Sequence, residues 1–81
     1  MKALVYVSFK PTVLDPQGQT IQAALRGMGH QHIEEVRQGK FFEIRLGKDA
    51  DPAQAREEIE QIAHDVLANP VIEEYRVELV E

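Results

Sequence analysis

Two Asp-Pro pairs constrain the fold of this chain more than any other feature of its sequence. They are Asp15-Pro16 and Asp51-Pro52. An N-cap aspartate accepts hydrogen bonds from free backbone N–H groups of the first turn. Proline suits the next position because its φ is already helical and its missing N–H is not needed there. Each pair therefore predicts a helix start, and together they indicate a strand–helix–strand plan that is used twice.

Hydrophobic alternation predicts the strands around these helices. Apolar and polar residues alternate through residues 2–10, 41–46 and 71–80, which are rich in β-branched and aromatic side chains. Residues 32–38 are predicted as a further strand. This strand and the one at residues 41–46 are expected to form a hairpin, with residues 37–40 at or near its tip.

Each predicted helix has one apolar face. The first helix is expected to end at Gly29, where a residue with positive φ is favoured. The second is expected to begin with a capping box made by Asp51 and Gln54 and to end at Asn69-Pro70. The apolar faces comprise Ile21, Ala24, Leu25 and Met28 in the first helix, and Ala55, Ile59, Ile62, Ala63, Val66 and Leu67 in the second.

The order of elements, β-α-β-β-α-β, predicts a ferredoxin-like α+β fold. In that fold, two helices cover one face of a four-stranded antiparallel sheet. Residues 1–81 are expected to form a single domain with a thin core, so support from a partner subunit is expected. The other face of the sheet is too apolar for a fully wet surface and predicts self-association through Leu4, Tyr6, Phe41, Arg45 and Arg76.

Charge and composition narrow the classes of partner. The net charge is −5, with +3 on residues 1–48 and −8 on residues 49–81. Nucleic-acid binders usually present a basic surface, so nucleic acid is not expected as a partner. The asymmetry fits either an oriented protein partner or two solvated faces, with equal weight. Cysteine is absent, and neither a membrane span nor a signal peptide is visible, so a cytoplasmic location is expected.

No pattern of catalytic or metal-binding residues is visible. The three histidines lack the spacing of a metal site, and Ser8 has no glycine elbow around it. The carboxylates of the second helix lack an apolar setting that would raise a pKa. Arg37 and Lys40 flank Gly39, where they serve either to hold an anion or as ordinary hairpin charges, and the second interpretation is favoured. The sequence therefore predicts neither a catalytic centre nor a metal site.

Three blocks of sequence carry a family resemblance. They are Val-Leu-Asp-Pro-Gln-Gly at residues 13–18, Val-Arg-Gln-Gly-Lys at 36–40, and Leu-Ala-Asn-Pro-Val-Ile-Glu-Glu-Tyr at 67–75. Each block alone is a weak signal, but their order and spacing in a short cysteine-free chain resemble the PurS family across essentially the whole sequence. This family is the small subunit of phosphoribosylformylglycinamidine synthase, the glutamine-dependent amidotransferase of purine biosynthesis.

The resemblance implies a non-catalytic subunit of a carbon–nitrogen ligase. A glutaminase subunit (PurQ) releases ammonia from glutamine, and a large synthetase subunit (PurL) uses ATP and magnesium to convert formylglycinamide ribonucleotide to the amidine. The small subunit is implied to bridge these two, to assist ammonia transfer, to bind no cofactor itself, and to form a homodimer or homotetramer. The residues expected to contact the partner subunits are Asp15, Gln17 and Gly18, then Arg37, Gly39 and Lys40, and then Asn69, Pro70, Glu73 and Tyr75.

Structural roles for the same blocks remain open, because Asp15 caps a helix, Gly39 suits a turn and Asn69-Pro70 stops a helix. Gly18 lies in a first helical turn, where it either permits close approach of another chain or is simply tolerated. Two other functions compete with the assembly subunit. One is a regulatory domain that binds a small molecule, and the other is a small phosphatase-like enzyme, for which no phosphate-binding loop is found.

Overall fold

The structure is a computed structural model that describes all 81 residues. No helix in it combines the length and apolar character needed to cross a bilayer. The elements in chain order are β1 (Lys2–Phe9), α1 (Pro16–Gly27), β2 (Gly39–Arg45), α2 (Pro52–Ile62), which continues as a π-helical segment (Ala63–Leu67), and β3 (Glu73–Val80).

The three strands form one antiparallel sheet in the order β2-β1-β3. The central strand β1 pairs with both neighbours, so that Val5 lies between Phe42 and Val77. The predicted alternation in β1, β2 and β3 is confirmed, because one face of each strand packs into the core. The buried core comprises Ala3, Val5, Val7, Ile59, Ala63, Ala68 and Val77.

The predicted fourth strand is wrong. Residues 32–38 form no strand, and the hairpin predicted to join them to β2 is therefore absent. Side chains bind the backbone of this segment in place of a neighbouring strand. The Arg26 guanidinium donates to the Ile33 carbonyl at 3.0 Å, and the Gln38 backbone N–H donates to the Asp15 carboxylate at 2.6 Å.

Only one of the two helices covers the sheet. The predicted packing of both helices on one sheet face is therefore not found within a single chain. The α2 helix buries Ala55 and Ile59, whereas the only buried residue of α1 is Gly18. The apolar face of α1 remains open, with Ile21 39% exposed and Met28 74% exposed. The chain is therefore an α+β protein in which α1 lies beside the sheet rather than on it.

The helix ends follow the sequence signals in part. Asp15 caps α1, and Gly29 follows its end with a φ of 101°, as predicted. The capping box predicted at Asp51 is wrong, because that side chain makes no capping hydrogen bond.

The expected inward position of Val66 is also wrong. The Ala68 N–H donates to the Ala63 carbonyl, five residues back, at 2.9 Å. This wider π-helical turn shifts the helical register and leaves Val66 largely exposed.

Candidate protein-interaction site

The three sequence blocks meet at one end of the sheet. Because β1 runs antiparallel to both neighbours, its last residues lie beside the first residues of β2 and β3, and Ser8 pairs with both Gly39 and Glu74. Residues 13–18 follow β1, residues 36–40 lead into β2, and residues 67–75 lead into β3. We call this end of the molecule, formed by residues 13–18, 36–40 and 67–75, the motif end.

Asp15 joins the first block to the second. Its side chain is only 2% exposed, and both carboxylate oxygens are occupied within the chain. Oδ1 accepts the Gly18 backbone N–H at 2.9 Å, which caps α1, and Oδ2 accepts the Gln38 backbone N–H at 2.6 Å. The structure therefore gives Asp15 a structural role, while its contact with a partner stays a prediction.

The pKa of Asp15 is lowered from its ordinary value. The hydrogen bond from the Gln38 N–H is the largest cause, followed by the hydrogen bond from the Gly18 N–H, and the nearby Arg37 charge adds to them. Burial acts in the opposite direction but does not prevail. The carboxylate is therefore ionised at neutral pH and is not suited to donate a proton to a substrate there.

Two glycines allow close backbone approach at the motif end, one between the first two blocks and one between the second block and β1. A Cβ on Gly18 would overlap the Val36 carbonyl oxygen, and a Cβ on Gly39 would overlap the Val7 carbonyl oxygen. Gly27 and Gly47, by contrast, have open space where a Cβ would stand. Of the two interpretations of Gly18, close backbone approach is therefore the one that the structure supports, within the chain itself.

Arg37 also binds the chain to itself. Its guanidinium donates to the carbonyl oxygens of Lys10 and Val13, both at 3.0 Å. These bonds fasten the second block to the loop that leaves β1. Next to it, the side-chain amide of Gln38 donates to Gln17, which adds a second link between the same two blocks. Gln38 belongs to the second block but was not among the residues predicted to contact a partner.

Lys40 and Glu73 link the second block to the third. The Lys40 ammonium lies 3.4 Å from the Glu73 carboxylate and donates to the Leu67 carbonyl at 3.2 Å. The Glu73 carboxylate, which is mostly buried, also accepts the Asn69 backbone N–H at 2.7 Å. An ion pair with a desolvated partner and a further hydrogen bond holds its geometry better than an exposed pair.

Asn69 builds the turn that leads into β3. Its side-chain oxygen accepts the Val71 N–H at 3.1 Å, and its backbone carbonyl accepts the N–H groups of Ile72 and Glu73. Pro70 lies exposed within the turn, and Tyr75 follows on the core side of β3, half-buried. The structure thus brings all ten predicted contact residues to the motif end, although several of them serve mainly to shape it.

An exposed surface remains after these internal bonds are counted. It carries the polar side chains of Gln17, Lys40 and Asn69, together with two apolar residues that the sequence analysis missed. Leu14 is 62% exposed and Val71 is 77% exposed. Each stands next to an Asp-Pro or Asn-Pro pair, and an apolar residue beside a helix cap is the signal that could have identified them.

The residues predicted for self-association share the outer face of the sheet. The rings of Tyr6 and Phe41 lie 5.2 Å apart between centroids, and the Arg76 guanidinium stands 4.3 Å above the Tyr6 ring. Phe41 is 54% exposed. Leu4 is on the same face, and Arg45 lies at the opposite end of β2, across from Lys2. The predicted placement on one face is confirmed, whereas its role in association stays a prediction.

The arrangement suits binding to a protein rather than covalent chemistry. The charged side chains of the motif end bind backbone groups of the same chain. What the motif end offers is a rigid surface with apolar and polar groups side by side. Protein interfaces commonly combine an apolar centre with a polar rim.

Comparisons with known proteins agree with the sequence resemblance. The family model described as "PurS: Phosphoribosylformylglycinamidine (FGAM) synthase" matches residues 2–81. Phosphoribosylformylglycinamidine synthase subunit PurS of Mycobacterium leprae is 42% identical over 76 residues, which are 94% of this chain and 91% of that protein.

Two solved structures extend the agreement to the fold. The structure of Bacillus subtilis PurS superposes with a TM-score of 0.86 at 42% identity, covering 99% of this chain and 98% of that one. A structure of PurLQS from Thermotoga maritima contains a chain that matches with a TM-score of 0.86 at 29% identity, covering 98% of this chain and 95% of that one. The match therefore spans nearly the full length in sequence and in structure, and the chain belongs to the PurS family of phosphoribosylformylglycinamidine synthase.

Proposed function

We propose that this chain is the small, non-catalytic subunit of phosphoribosylformylglycinamidine synthase in purine biosynthesis. It bridges the glutaminase subunit PurQ and the synthetase subunit PurL and assists the passage of ammonia between them. The complex converts formylglycinamide ribonucleotide to the amidine with ATP and glutamine. The observation that carries this proposal is the full-length structural match to a chain of PurLQS from Thermotoga maritima.

The motif end is the surface we assign to the partner subunits. Its internal hydrogen bonds hold three chain segments in one arrangement, so little order has to be gained on binding. Leu14 and Val71 supply exposed apolar area, and Gln17, Lys40 and Asn69 supply polar groups around it. Asp15, Gly18 and Gly39 support this surface from within.

We also assign the cofactors of the reaction to other subunits. Residues 1–81 act as one domain in the cytoplasm and bind no cofactor, while ATP and magnesium are held by the large subunit. Asp15 is the most buried acidic residue of the chain, and its carboxyl has a lowered pKa. Both properties favour a structural role for this residue over a catalytic one.

The outer sheet face contributes to a homodimer or homotetramer. The contacts among Tyr6, Phe41 and Arg76 order these side chains before any partner arrives. A preordered aromatic and arginine cluster is the composition that protein interfaces favour. The ferredoxin-like arrangement of two helices over one sheet belongs, in this proposal, to the assembled oligomer.

The proposal is tested by measuring amidation of formylglycinamide ribonucleotide with purified PurL and PurQ, with and without this chain. Glutamine is the nitrogen donor in one series and ammonia in the other. Glutamine-dependent turnover is expected to need the chain, whereas ammonia-dependent turnover is not. If the chain alters neither rate and binds neither subunit, the bridging function is refuted and a regulatory domain that binds a small molecule becomes the better explanation.

A further inference from the structure

The end of α2 departs from an ordinary α-helix in one turn, and this turn decides where Val66 lies. At helical spacing Val66 follows Ile62 by four residues and Ile59 by seven, on the side of the helix that packs against the sheet. The structure leaves Val66 74% exposed, although Ile59 is only 2% exposed. An aliphatic side chain that the pattern assigns to the core is thus open to water.

One extra residue in the turn is the cause. The Ala68 N–H donates to the Ala63 carbonyl, five residues back instead of four, at 2.9 Å. The core side of the helix therefore passes from Ala63 to Leu67 and Ala68, which are partly and almost fully buried, and Val66 is left outside. Deleting one residue between Ala63 and Ala68 would turn the same bond into an ordinary α-helical bond.

Side chains from the second and third sequence blocks hold this wide turn in place. The Lys40 ammonium donates to the Leu67 carbonyl at 3.2 Å, one of the carbonyl groups at the helix end that lack a partner within the helix. The same ammonium lies 3.4 Å from the Glu73 carboxylate, which in turn accepts the Asn69 N–H at 2.7 Å. The turn is therefore a fixed part of the structure and not a frayed helix end.

Val66 begins a stretch of sequence without charge. Residues 66–72 read Val-Leu-Ala-Asn-Pro-Val-Ile, and the ten acidic side chains and two arginines of residues 49–81 all lie outside them. Val71 is 77% exposed and Ile72 is 36% exposed. We call the side chains of Val66, Val71 and Ile72 the aliphatic patch. Exposed apolar groups from which charge is absent are typical of the centre of a protein interface.

The turn at Asn69 keeps the two ends of this stretch together. The Asn69 carbonyl accepts the N–H groups of Ile72 and Glu73, at 3.1 and 2.7 Å. Since the Lys40 ammonium contacts both the Leu67 carbonyl and the Glu73 carboxylate, the end of the helix and the start of β3 meet at one side chain. The backbone that carries the patch is therefore already ordered, which lowers the cost of binding a partner.

The position of the aliphatic patch favours a protein partner. Small ligands bind in concave sites, and residues 66–72 line none of the cavities of this structure. The patch adjoins and partly overlaps the motif end, the surface assigned to the partner subunits. The helix that carries Val66 covers the inner face of the sheet, opposite the outer face of Tyr6 and Phe41 to which self-association is assigned.

We infer that the π-helical turn builds a partner contact, in which the aliphatic patch binds an uncharged aliphatic segment of one partner subunit of the synthase. A charged segment would lose its hydration there without meeting an opposite charge. A helix that breaks its own apolar pattern, and so leaves a core-type residue in water, is expected at a functional site. The inference rests on the proposed bridging function and adds Val66, a contact residue outside the three sequence blocks.

Binding to the two partner subunits tests the inference with four variants. Val66→Arg places a charge in the patch, whereas Val66→Ile keeps it aliphatic. Gln61→Arg is the matched control, because Gln61 is an exposed, uncharged residue of α2 outside the patch. Deletion of Val66 converts the π-helical turn into an α-helical one. The affinity of each variant for purified PurL, and separately for purified PurQ, is measured by titration calorimetry, and circular dichroism follows thermal unfolding.

Val66→Arg is expected to weaken binding to one of the two subunits by about tenfold or more and to leave the other unchanged. Val66→Ile and Gln61→Arg are expected to bind both subunits as the wild type does. The three substitutions are at exposed positions, so their unfolding midpoints should hardly change. The deletion variant is expected to fold and to show the same loss as Val66→Arg, because it removes both the turn and the side chain that the turn presents.

Equal affinities of Val66→Arg and Gln61→Arg for both subunits would overturn the inference. A folded deletion variant that binds like the wild type would overturn it as well, and if the deletion variant does not fold, Val66→Arg and its control decide the result. A lower oligomeric mass of Val66→Arg than of Gln61→Arg in light scattering would assign the patch to a second copy and contradict the proposed partner. Failure of the wild-type chain to bind either subunit would refute the bridging function itself, an outcome that is recognised without any variant.

Discussion

The Asp15 carboxylate accepts the backbone N–H of Gln38 at 2.6 Å and so joins the start of α1 to the residue before β2. The same carboxylate caps α1 through the Gly18 N–H. One side chain therefore fixes both ends of a 23-residue excursion from the sheet. Asp15 therefore helps to orient that excursion, together with the two bonds that Arg37 donates to the Lys10 and Val13 carbonyls.

Replacing this carboxylate is expected to destabilise the protein. In Asp15→Asn one oxygen remains as an acceptor, but the new amide NH₂ faces a backbone donor instead of accepting from it. The midpoint of thermal unfolding is expected to fall by several degrees. Asp51→Asn is the matched control, because Asp51 also precedes a helix-starting proline but makes no side-chain capping bond. Its effect is expected to stay within about 0.5 kcal/mol. Equal losses in the two variants would contradict the role given to Asp15.

The same carboxylate makes stability depend on pH in the acid range. Its pKa in the folded state is lowered by the hydrogen bonds from Gln38 and Gly18, below the value of about 3.9 that an aspartate has in an unfolded chain. The stabilisation is therefore fully present above that value and is lost as the pH falls through the lowered folded-state pKa. Urea unfolding of the wild type and Asp15→Asn across this range is expected to show their stability difference shrinking as the pH falls. A difference that stays constant would show that the ionised carboxylate is not the stabilising group.

Alanine at the two close-approach glycines is expected to destabilise the fold. In Gly18→Ala the new methyl group would overlap the Val36 carbonyl, and in Gly39→Ala it would overlap the Val7 carbonyl. Overpacking against a backbone typically costs about 1–3 kcal/mol. Gly47→Ala has open space and is expected to be close to neutral, and Gly27→Ala in α1 is expected to stabilise slightly. Chemical denaturation of the four variants gives their free energies of unfolding. Equal values for Gly18→Ala, Gly39→Ala and the two controls would show that the close approaches do not matter for stability.

The exposed apolar residues of the motif end are expected to matter for assembly and not for stability. Val71→Arg and Leu14→Arg add a charge to side chains that are mostly in water, so the unfolding midpoint should hardly change. An arginine at the centre of an interface should lower glutamine-dependent turnover at limiting chain concentration by about tenfold or more, which corresponds to about 1.4 kcal/mol of binding free energy. Ammonia-dependent turnover should be unchanged.

Lys48→Glu serves as the control for these two variants, because it alters an exposed charge in the loop between β2 and α2, away from the motif end. If it impairs glutamine-dependent turnover as much as Val71→Arg does, the interface does not lie at the motif end.

Local signals in the sequence predicted the elements and their faces well. Strict alternation placed Ala3, Val5 and Val7 on the core side of β1, and the same rule separated exposed Phe41 from Phe42 on the core side. The Asp15-Pro16 pair started α1 as expected. These features depend on neighbours in the chain, so the sequence alone determines them.

The sequence-based predictions failed where an element's packing depends on residues far away in the sequence or on another chain. Residues 32–38 have the composition of a strand, but a strand also needs a neighbouring edge, and side chains bind this segment instead. The apolar stripe of α1 shows that the helix needs a cover and does not show which surface supplies it. At Val66 the helical rule failed because the π-helical turn changed the period. Among the predicted contact residues, the pattern could not separate those that shape the motif end from those that it exposes.

Association of PurQ with PurL in the presence and absence of this chain tests the bridging function most directly. The three purified proteins are mixed in all pairwise and ternary combinations and analysed by size-exclusion chromatography with light scattering. The bridging function predicts that PurQ and PurL co-elute only when this chain is present, and that Val71→Arg weakens their co-elution whereas Lys48→Glu does not. Co-elution of PurQ and PurL to the same extent without the chain would contradict it.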